Sequence, residues 1–70
     1  MSSIVEFGQR ARAYRLAIPA TEEEIALFSG LTEERVKLVE DGKDKSINAL
    51  EITRLAFALG VTYQQLMFGK

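Results

Sequence analysis

Apolar side chains recur along this chain at the three- and four-residue spacing that places them on one side of an α-helix. In the first segment, from about residue 4 to residue 16, this spacing brings Phe7, Ala11 and Tyr14 together, while arginine and glutamine occupy much of the rest. The only proline, Pro19, follows soon after, and proline cannot continue a helix without losing a backbone hydrogen bond. The pattern therefore predicts an amphipathic first helix that ends before Pro19.

Residues 21–41, TEEEIALFSGLTEERVKLVED, predict two short helices joined by a tight turn at Gly30. Thr21 and Thr32 can cap these helices, because a threonine hydroxyl accepts a hydrogen bond from an unpaired amide of the first turn. Gly30 lies where the chain must change direction sharply, which suits a residue that tolerates positive φ. Two helices joined in this way are typical of a helix-turn-helix, in which the second helix can enter the major groove of DNA.

Two further helices are predicted after the polar loop that follows Gly42. Asn48 can cap the fourth helix and Gly60 can end it, since glycine adopts positive φ at a helix C-terminus without strain. Thr62 can cap a short fifth helix. The positions predicted to face the core are Ile52, Leu55, Ala56 and Leu59 in the fourth helix, and Leu66 and Phe68 in the fifth. The fold predicted for residues 1–70 is one compact all-α domain of five helices.

The composition narrows the possible functions. A chain of 70 residues suffices for one domain with a small core, and 47% apolar and 27% charged residues are ordinary for a globular protein. The absence of cysteine and histidine excludes disulfides, thiolate or imidazole metal sites, and catalysis by either residue. No apolar run approaches the ~20 residues of a membrane span, and the N-terminus does not resemble a signal peptide. We therefore expect a cytoplasmic protein with no membrane partner and no cofactor.

Three segments of the chain are informative when taken together: FGQRARAYR, TEEEIALFSGLTEERVKLVEDGK and NALEITRLAFALGVTYQQLMFG. Over about residues 7–69 they resemble the Xre/Cro-type helix-turn-helix family, which includes lambdoid phage repressors, Cro proteins and restriction–modification controller proteins. The resemblance implies a lambda-repressor-like domain that binds double-stranded operator DNA as a homodimer. It also implies a partly buried ion pair between Arg15 and Glu40. A chain of this length has no room for an effector domain, so no small-molecule effector is expected.

The sequence departs from this family at acidic positions. Glu22 stands where family members usually carry a glutamine that contacts a phosphate, and Glu33 and Glu34 stand at the usual base-reading positions. A carboxylate repels phosphate, although a glutamate can accept a hydrogen bond from the amino group of cytosine. The favoured hypothesis is a DNA-binding transcription regulator that reads its operator through the third helix. The alternative is a helix-turn-helix scaffold, such as an antirepressor or DNA mimic, whose acidic third helix binds a protein.

Any binding to nucleic acid must rest on local charge, since the net charge of −1 provides no overall attraction. Arg35 and Lys37 on the third helix can contact base edges or phosphates, and Leu38 can contact a thymine methyl group. Lys43 and Lys45 in the following loop can contact phosphates. The alternative explanations for such residues are capping, interaction with the helix dipole, or a solvated surface. The predicted DNA contacts are Thr32, Glu33, Glu34, Arg35, Lys37, Leu38, Lys43, Lys45 and Asn48.

Several large apolar residues fall beside the helical core stripes. Phe57, Tyr63 and Met67 belong to the last two helices, the region through which Xre/Cro-type domains tend to pair. We therefore expect residues 57–69 to form a homodimer interface. Leu27 also lies off its stripe, and the sequence offers no explanation for it. An enzyme is not expected, because the chain has no glycine-rich phosphate loop after a strand and no metal-ligand spacing.

Overall fold

The computed structural model describes residues 3–70, which form five helices connected by short turns and loops. The helices are α1 (Ser3–Ala17), α2 (Glu22–Ser29), α3 (Glu33–Glu40), α4 (Ala49–Leu59) and α5 (Tyr63–Phe68). The described residues contain no strand, which confirms the predicted all-α class and the order of the helices. None of these five helices is long and apolar enough to cross a membrane.

Helices α2 to α5 each begin immediately after the predicted capping residue. The hydroxyl of Thr21 accepts a hydrogen bond from the N–H of Glu24 at 3.1 Å, and the Glu24 carboxylate accepts one from the N–H of Thr21 at 2.9 Å. Asn48 and Thr62 form the same reciprocal pairing at the starts of α4 and α5, while Thr32 caps α3 through its hydroxyl alone. Polar residues of each first turn thus determine where these helices start, which is a local effect.

Helix α1 crosses α3 at very short range. Gly8 is buried at the crossing, and a Cβ atom at this position would overlap the carbonyl oxygen of Val39. No side chain fits there, so the glycine allows the two backbones to pack together. This close approach places the arginines in the second half of α1 next to the end of α3.

The core lies among the first four helices and is closed by α5, which packs against α1 and α4. Its buried apolar members are Phe7, Ala11, Ile25, Ala26, Val36, Val39, Ile52, Leu55, Ala56, Leu59 and Leu66. Those of α1, α4 and α5 all belong to the predicted stripes, because the helical period determines which positions of an amphipathic helix can face inward. The prediction that Phe68 faces the core is wrong. Its side chain is 61% exposed, because α5 ends at this residue.

A buried ion pair fastens α1 to the end of α3. The guanidinium of Arg15 donates to both carboxylate oxygens of Glu40, from Nε at 2.7 Å and from Nη2 at 2.9 Å. Its Nη1 donates to the carbonyl of Ala20 at 3.0 Å, and Arg12 adds a longer contact to Glu40, 3.2 Å from its Nε. Burial alone would raise the pKa of Glu40, but the hydrogen bonds from the two arginines outweigh it and lower that pKa. The expected pair of Arg15 and Glu40 is therefore present, with Arg12 as a second partner.

We expect Arg15→Ala to lower the free energy of unfolding by about 3 kcal/mol at pH 7, because breaking a buried pair leaves an uncompensated charge. The decrease in the free energy of unfolding should lie near the lower end of the ~3–5 kcal/mol usual for breaking a buried pair. The reason is that Arg12 still compensates part of the charge of Glu40. In a domain of this size this loss corresponds to a decrease in Tm of roughly 12 °C or more. Thermal unfolding followed by circular dichroism measures the effect.

Lys37→Ala is the matched control, because Lys37 forms only an exposed pair with Glu33 at 3.5 Å and such pairs contribute ~0–1 kcal/mol. The folded pKa of Glu40 is lowered, so its stabilising contribution is present above the ordinary value of 4.5 and is lost as the pH falls through the folded pKa. The difference between wild type and Arg15→Ala should therefore shrink in acid. Equal unfolding curves at pH 7 would contradict the prediction.

Candidate nucleic-acid interface

The outward side of α3 carries both signs of charge. Val36 and Val39 are buried, which turns Glu33, Glu34 and Lys37 towards the solvent. The ammonium group of Lys37 lies 3.5 Å from the carboxylate of Glu33, one helical turn earlier. This side can therefore present hydrogen-bond acceptors and a donor to the edges of bases, but its net charge is not positive.

Two uncharged residues complete the outer surface of α3. The hydroxyl oxygen of Thr32 accepts a hydrogen bond from the N–H of Arg35 at 3.1 Å, so its own O–H can still act as a donor. Leu38 is 38% exposed, and its methyl groups are accessible to an apolar contact. Both residues therefore lie where a ligand bound along α3 could touch them.

Arg35 is held by neighbouring carboxylates. Its Nε donates to Asp44 at 2.7 Å, and its Nη1 and Nη2 donate to the two carboxylate oxygens of Glu51 at 2.9 and 3.1 Å. The hydrogen bonds to Glu51 and Asp44 raise the pKa of Arg35, and the one from Arg35 lowers that of Glu51. Arg35 therefore has a structural role in the folded chain, and its predicted contact with DNA stays a prediction. Its guanidinium already joins α3 to the following loop and to the first turn of α4.

Asp44 organises the loop between α3 and α4. It is buried, and it accepts hydrogen bonds from the N–H and the hydroxyl of Ser46 at 2.9 and 2.8 Å, besides that from Arg35. Burial would raise the pKa of Asp44, but Arg35 and Ser46 outweigh burial and lower it. Its neighbours Lys43 and Lys45 are both exposed. The buried Asp44 thus holds the backbone of the loop in place, and the lysines on either side of it present two exposed cations.

Asn48 marks the start of a helix at the end of this loop. Its Oδ1 accepts a hydrogen bond from the N–H of Glu51 at 2.9 Å, which leaves the side-chain amino group available as a donor. The first-turn amides of a helix also attract anions. Residues 43–48 therefore combine two exposed lysines, an amide donor and a helix start immediately after α3.

Glu22 lies in the first turn of α2, next to the pair formed by Arg15 and Glu40. Burial and the neighbouring carboxylate of Glu40 raise the pKa of Glu22, while the charges of Arg15 and Lys37 partly offset them. Carboxylates at short range cannot both be ionised without a cost. Since two arginines hold Glu40 in its ionised form, Glu22 is the carboxylate that gains a proton first as the pH falls.

The residues predicted to form the dimer interface do not share one exposed patch. Tyr63 and Met67 are partly buried and pack against the core. Met67 lines a depression between α1 and α5, whereas Phe57 is 81% exposed and lines a separate depression between α2 and α4. Within one chain Tyr63 and Met67 therefore also cover the core, and the homodimer interface expected of the three residues stays a prediction.

Two features that bring distant parts of the chain together were missed by sequence reasoning. Leu27 lines the same depression as Phe57, so the exposed leucine that the sequence left unexplained has an apolar neighbour. Arg10 donates to the carbonyl groups of Leu66 and Met67 at the end of α5, so its charge is used within the fold. Neither feature has a local signal, since these parts of the chain come together only when the helices pack.

No family model matches the chain. Among curated proteins, the chain is 34% identical over 61 residues to the uncharacterized HTH-type transcriptional regulator RghRB of Bacillus subtilis. The match covers 87% of this chain and 44% of RghRB, so the chain spans less than half the length of that relative.

Solved structures resemble the chain over nearly its whole length. The restriction–modification controller protein C.AhdI from Aeromonas hydrophila superposes with a TM-score of 0.87 at 35% identity, over 94% of this chain and 98% of that one. The hypothetical transcription factor NHTF from Neisseria superposes with a TM-score of 0.85 at 29% identity, over 97% of this chain and 76% of that one. The arrangement of α1 to α5 is thus shared with proteins named as regulators.

We expect Glu22→Gln to raise Tm at pH 7 by a few degrees. In a domain of this size, an increase of about 1 kcal/mol in the free energy of unfolding raises Tm by roughly 4–8 °C. The amide removes one of two neighbouring negative charges and can donate a hydrogen bond to Glu40. The folded pKa of Glu22 is raised above its ordinary value of 4.5, so this carboxylate lowers the free energy of unfolding as the pH rises above 4.5, and the loss is complete above the folded pKa. The gain should be greatest at neutral pH and disappear in acid, which thermal unfolding between about pH 4 and 7.5 measures.

The exposed neighbour Glu23 provides the control for this experiment. Glu23→Gln makes the same chemical change on the same helix turn, away from the buried pair, and should alter Tm little at any pH. The prediction is contradicted if the increase in Tm of Glu22→Gln does not depend on pH, or if Glu23→Gln gives the same increase. Either result would show that the pKa of Glu22 is not raised in the folded protein.

Proposed function

The chain belongs to the Xre/Cro-type helix-turn-helix family of transcription regulators, and on that basis we propose that it binds a specific operator in double-stranded DNA as a homodimer. In this proposal the operator is an inverted repeat, and α3 of each subunit lies in the major groove and reads the bases. The protein is not an enzyme. It acts in the cytoplasm, without a cofactor or a small-molecule effector.

The observation that supports this function most directly is the exposed start of α3, followed by a loop that is held in place and carries two exposed lysines. In a helix-turn-helix the first residues of the second helix contact base edges. Glu34 supplies an acceptor there, Lys37 a donor and Leu38 an apolar contact. Since a glutamate can accept from the amino group of cytosine, the acidic start of α3 favours operators with cytosine at the contacted position.

Phosphate contacts are assigned to the segment that follows α3. Lys43 and Lys45 provide two cations, and Asn48 with the first amides of α4 provides a further group of donors. Arg35 is not included, because its guanidinium is bound to carboxylates. The slope of log K against log salt is about −0.9 for each phosphate neutralised, so few contacts give a shallow salt dependence and weak non-specific binding.

Homodimerisation determines the form of the operator. A two-fold axis makes the two half-sites mirror each other, and two recognition helices on the same face of the duplex place their centres about one helical turn, ~10 bp, apart. A dimer also allows each subunit to bind weakly by itself, because the second half-site is engaged without a further loss of translational freedom.

A protein partner is the second candidate, and the acidic residues at the starts of α2 and α3 favour it. Glu33 and Glu34 are exposed at the start of α3, and the partly buried Glu22 adds a third carboxylate beside them on the surface that would meet DNA. A surface of that charge can occupy the basic groove of another DNA-binding protein, as an antirepressor or DNA mimic would. Under this alternative the chain selects no DNA sequence.

Selection from a random-sequence duplex library separates the two candidates. At about 50 mM salt, DNA binding should enrich one inverted repeat whose half-sites have centres ~10 bp apart. Glu34→Ala and Lys37→Ala should then select altered sequences, because they change the groups that read the bases. No enrichment by the folded wild type would favour the protein partner, and unaltered selections by both variants would exclude α3 as the reading helix.

We expect Lys43→Ala and Lys45→Ala to weaken binding to all sequences alike and to reduce the magnitude of the salt slope by ~1 each. Fluorescence anisotropy of the selected duplex and of a scrambled duplex, between about 50 and 200 mM salt, measures both effects. Lys70→Ala removes another exposed lysine outside the proposed contacts and should leave the slope unchanged. A changed sequence preference for Lys43→Ala or Lys45→Ala would assign that lysine to base reading and contradict the prediction.

A further inference from the structure

Three exposed apolar side chains of α2 and α4 lie around one depression, and together with Arg54 they are here called the α2–α4 face. Leu27, Phe28 and Phe57 are 78%, 66% and 81% exposed, and with Arg54 they border an open depression of about 470 Å³. Contiguous apolar groups on a protein surface mark contacts with other proteins. The core of the single chain does not cover these side chains.

We infer that the α2–α4 face binds the same face of a second copy of the chain. The inference rests on the homodimer of the proposed function and names the surface that this dimer uses. A two-fold contact brings one surface against itself, so the surface must be self-complementary. The α2–α4 face meets this condition in shape, because the exposed ring of Phe57 stands at the edge of a depression that can receive a phenyl ring.

The charges around the face are self-complementary too. Arg54 borders the depression. Glu23 and Glu24 lie one helical turn before the two apolar residues of α2, and thus on the same side of that helix. In a two-fold contact, Arg54 of each copy can meet the acidic first turn of the opposite α2. An apolar centre with charged residues at the rim is the usual composition of a protein interface.

The area of the face is suited to a dimer. A buried aromatic side chain contributes roughly 150–250 Å², so the two phenylalanines and Leu27 supply roughly half of the ~800 Å² that each partner of a standard interface buries. Thr53 and Arg54, which line the same depression, extend the contact. None of the proposed DNA contacts lines this depression, so association through it leaves α3 free.

Sedimentation velocity of the DNA-free protein between about 1 and 500 µM tests the inference. We expect the wild type to dimerise, and Phe57→Glu and Leu27→Glu each to raise the dimer Kd at least ~30-fold, as for residues at the centre of an interface. Phe68→Glu is the matched control. Phe68 is 61% exposed on α5, outside the face, so its substitution should leave the Kd unchanged. Circular dichroism establishes that each variant is folded. Because Phe57→Glu and Leu27→Glu both change exposed residues, the inference can still be tested if one of the two variants does not fold.

Mixing Phe57→Glu with Phe57→Lys provides a test by restored association. Each variant alone places like charges against each other across the two-fold contact, whereas the mixed dimer pairs opposite charges. Dimers should therefore be absent from either solution and reappear in the mixture. A contact with any other surface would give no such restoration.

Three results would overturn the inference: a monomeric wild type at 500 µM, a dimer broken by Phe68→Glu but not by Phe57→Glu, or a mixture that stays monomeric. DNA binding is measured separately by selection from the random duplex library. A dimer that Phe57→Glu breaks, in a protein that selects no sequence, would support the contact and refute the proposed regulator. If the protein selects an operator but its dimer survives Phe57→Glu, the proposed regulator is supported and the contact through the α2–α4 face is refuted.

Discussion

A buried carboxylate at the end of α3 determines how the first half of this fold is arranged. Glu40 can remain ionised in the interior only when cations surround it, because an isolated buried charge is strongly destabilising. Arg15 and Arg12 of α1 are those cations, and they reach Glu40 because Gly8 allows α1 to lie directly against the backbone of α3. The orientation of α3 relative to α1, on which any reading of DNA depends, therefore depends on these ion pairs and on the absence of a side chain at position 8.

The two kinds of cation in this chain have separate roles. Four of its five arginines, at positions 10, 12, 15 and 35, are bound to carbonyl or carboxylate oxygens within the fold. Arginine suits this use because its planar group can bind two oxygens at once and always carries its charge. Lys37, Lys43 and Lys45 are instead exposed on and after α3. The exposed cations on and directly after α3 are thus lysines, and a count of basic residues overstates the charge available to DNA.

Features that depend on neighbours along the chain were predictable from the sequence. Thr21 and Asn48 cap their helices because the partner groups lie three residues away, and the core stripes follow from the helical period. The role of Arg35 was not predictable in this way. Its carboxylate partners lie nine and sixteen residues further on and meet it only when the loop has folded. The neighbourhood of Leu27 and Phe57 likewise depends on the packing of α2 against α4.

The acidic start of α3 links the proposed reading of DNA to the proposed dimer. Carboxylates at Glu33 and Glu34 are repelled by the phosphates of every sequence, but they gain a hydrogen bond only where a cytosine amino group is in reach. The affinity for DNA of any sequence is therefore lowered, and the loss is offset only at sites that place a cytosine within reach. This raises the ratio of specific to non-specific affinity. A subunit that binds its half-site weakly depends on a partner to reach a useful affinity, because the linked second half-site adds its contacts at a high effective concentration. An apolar face that joins two copies, away from α3, supplies that partner without adding any attraction to non-specific DNA.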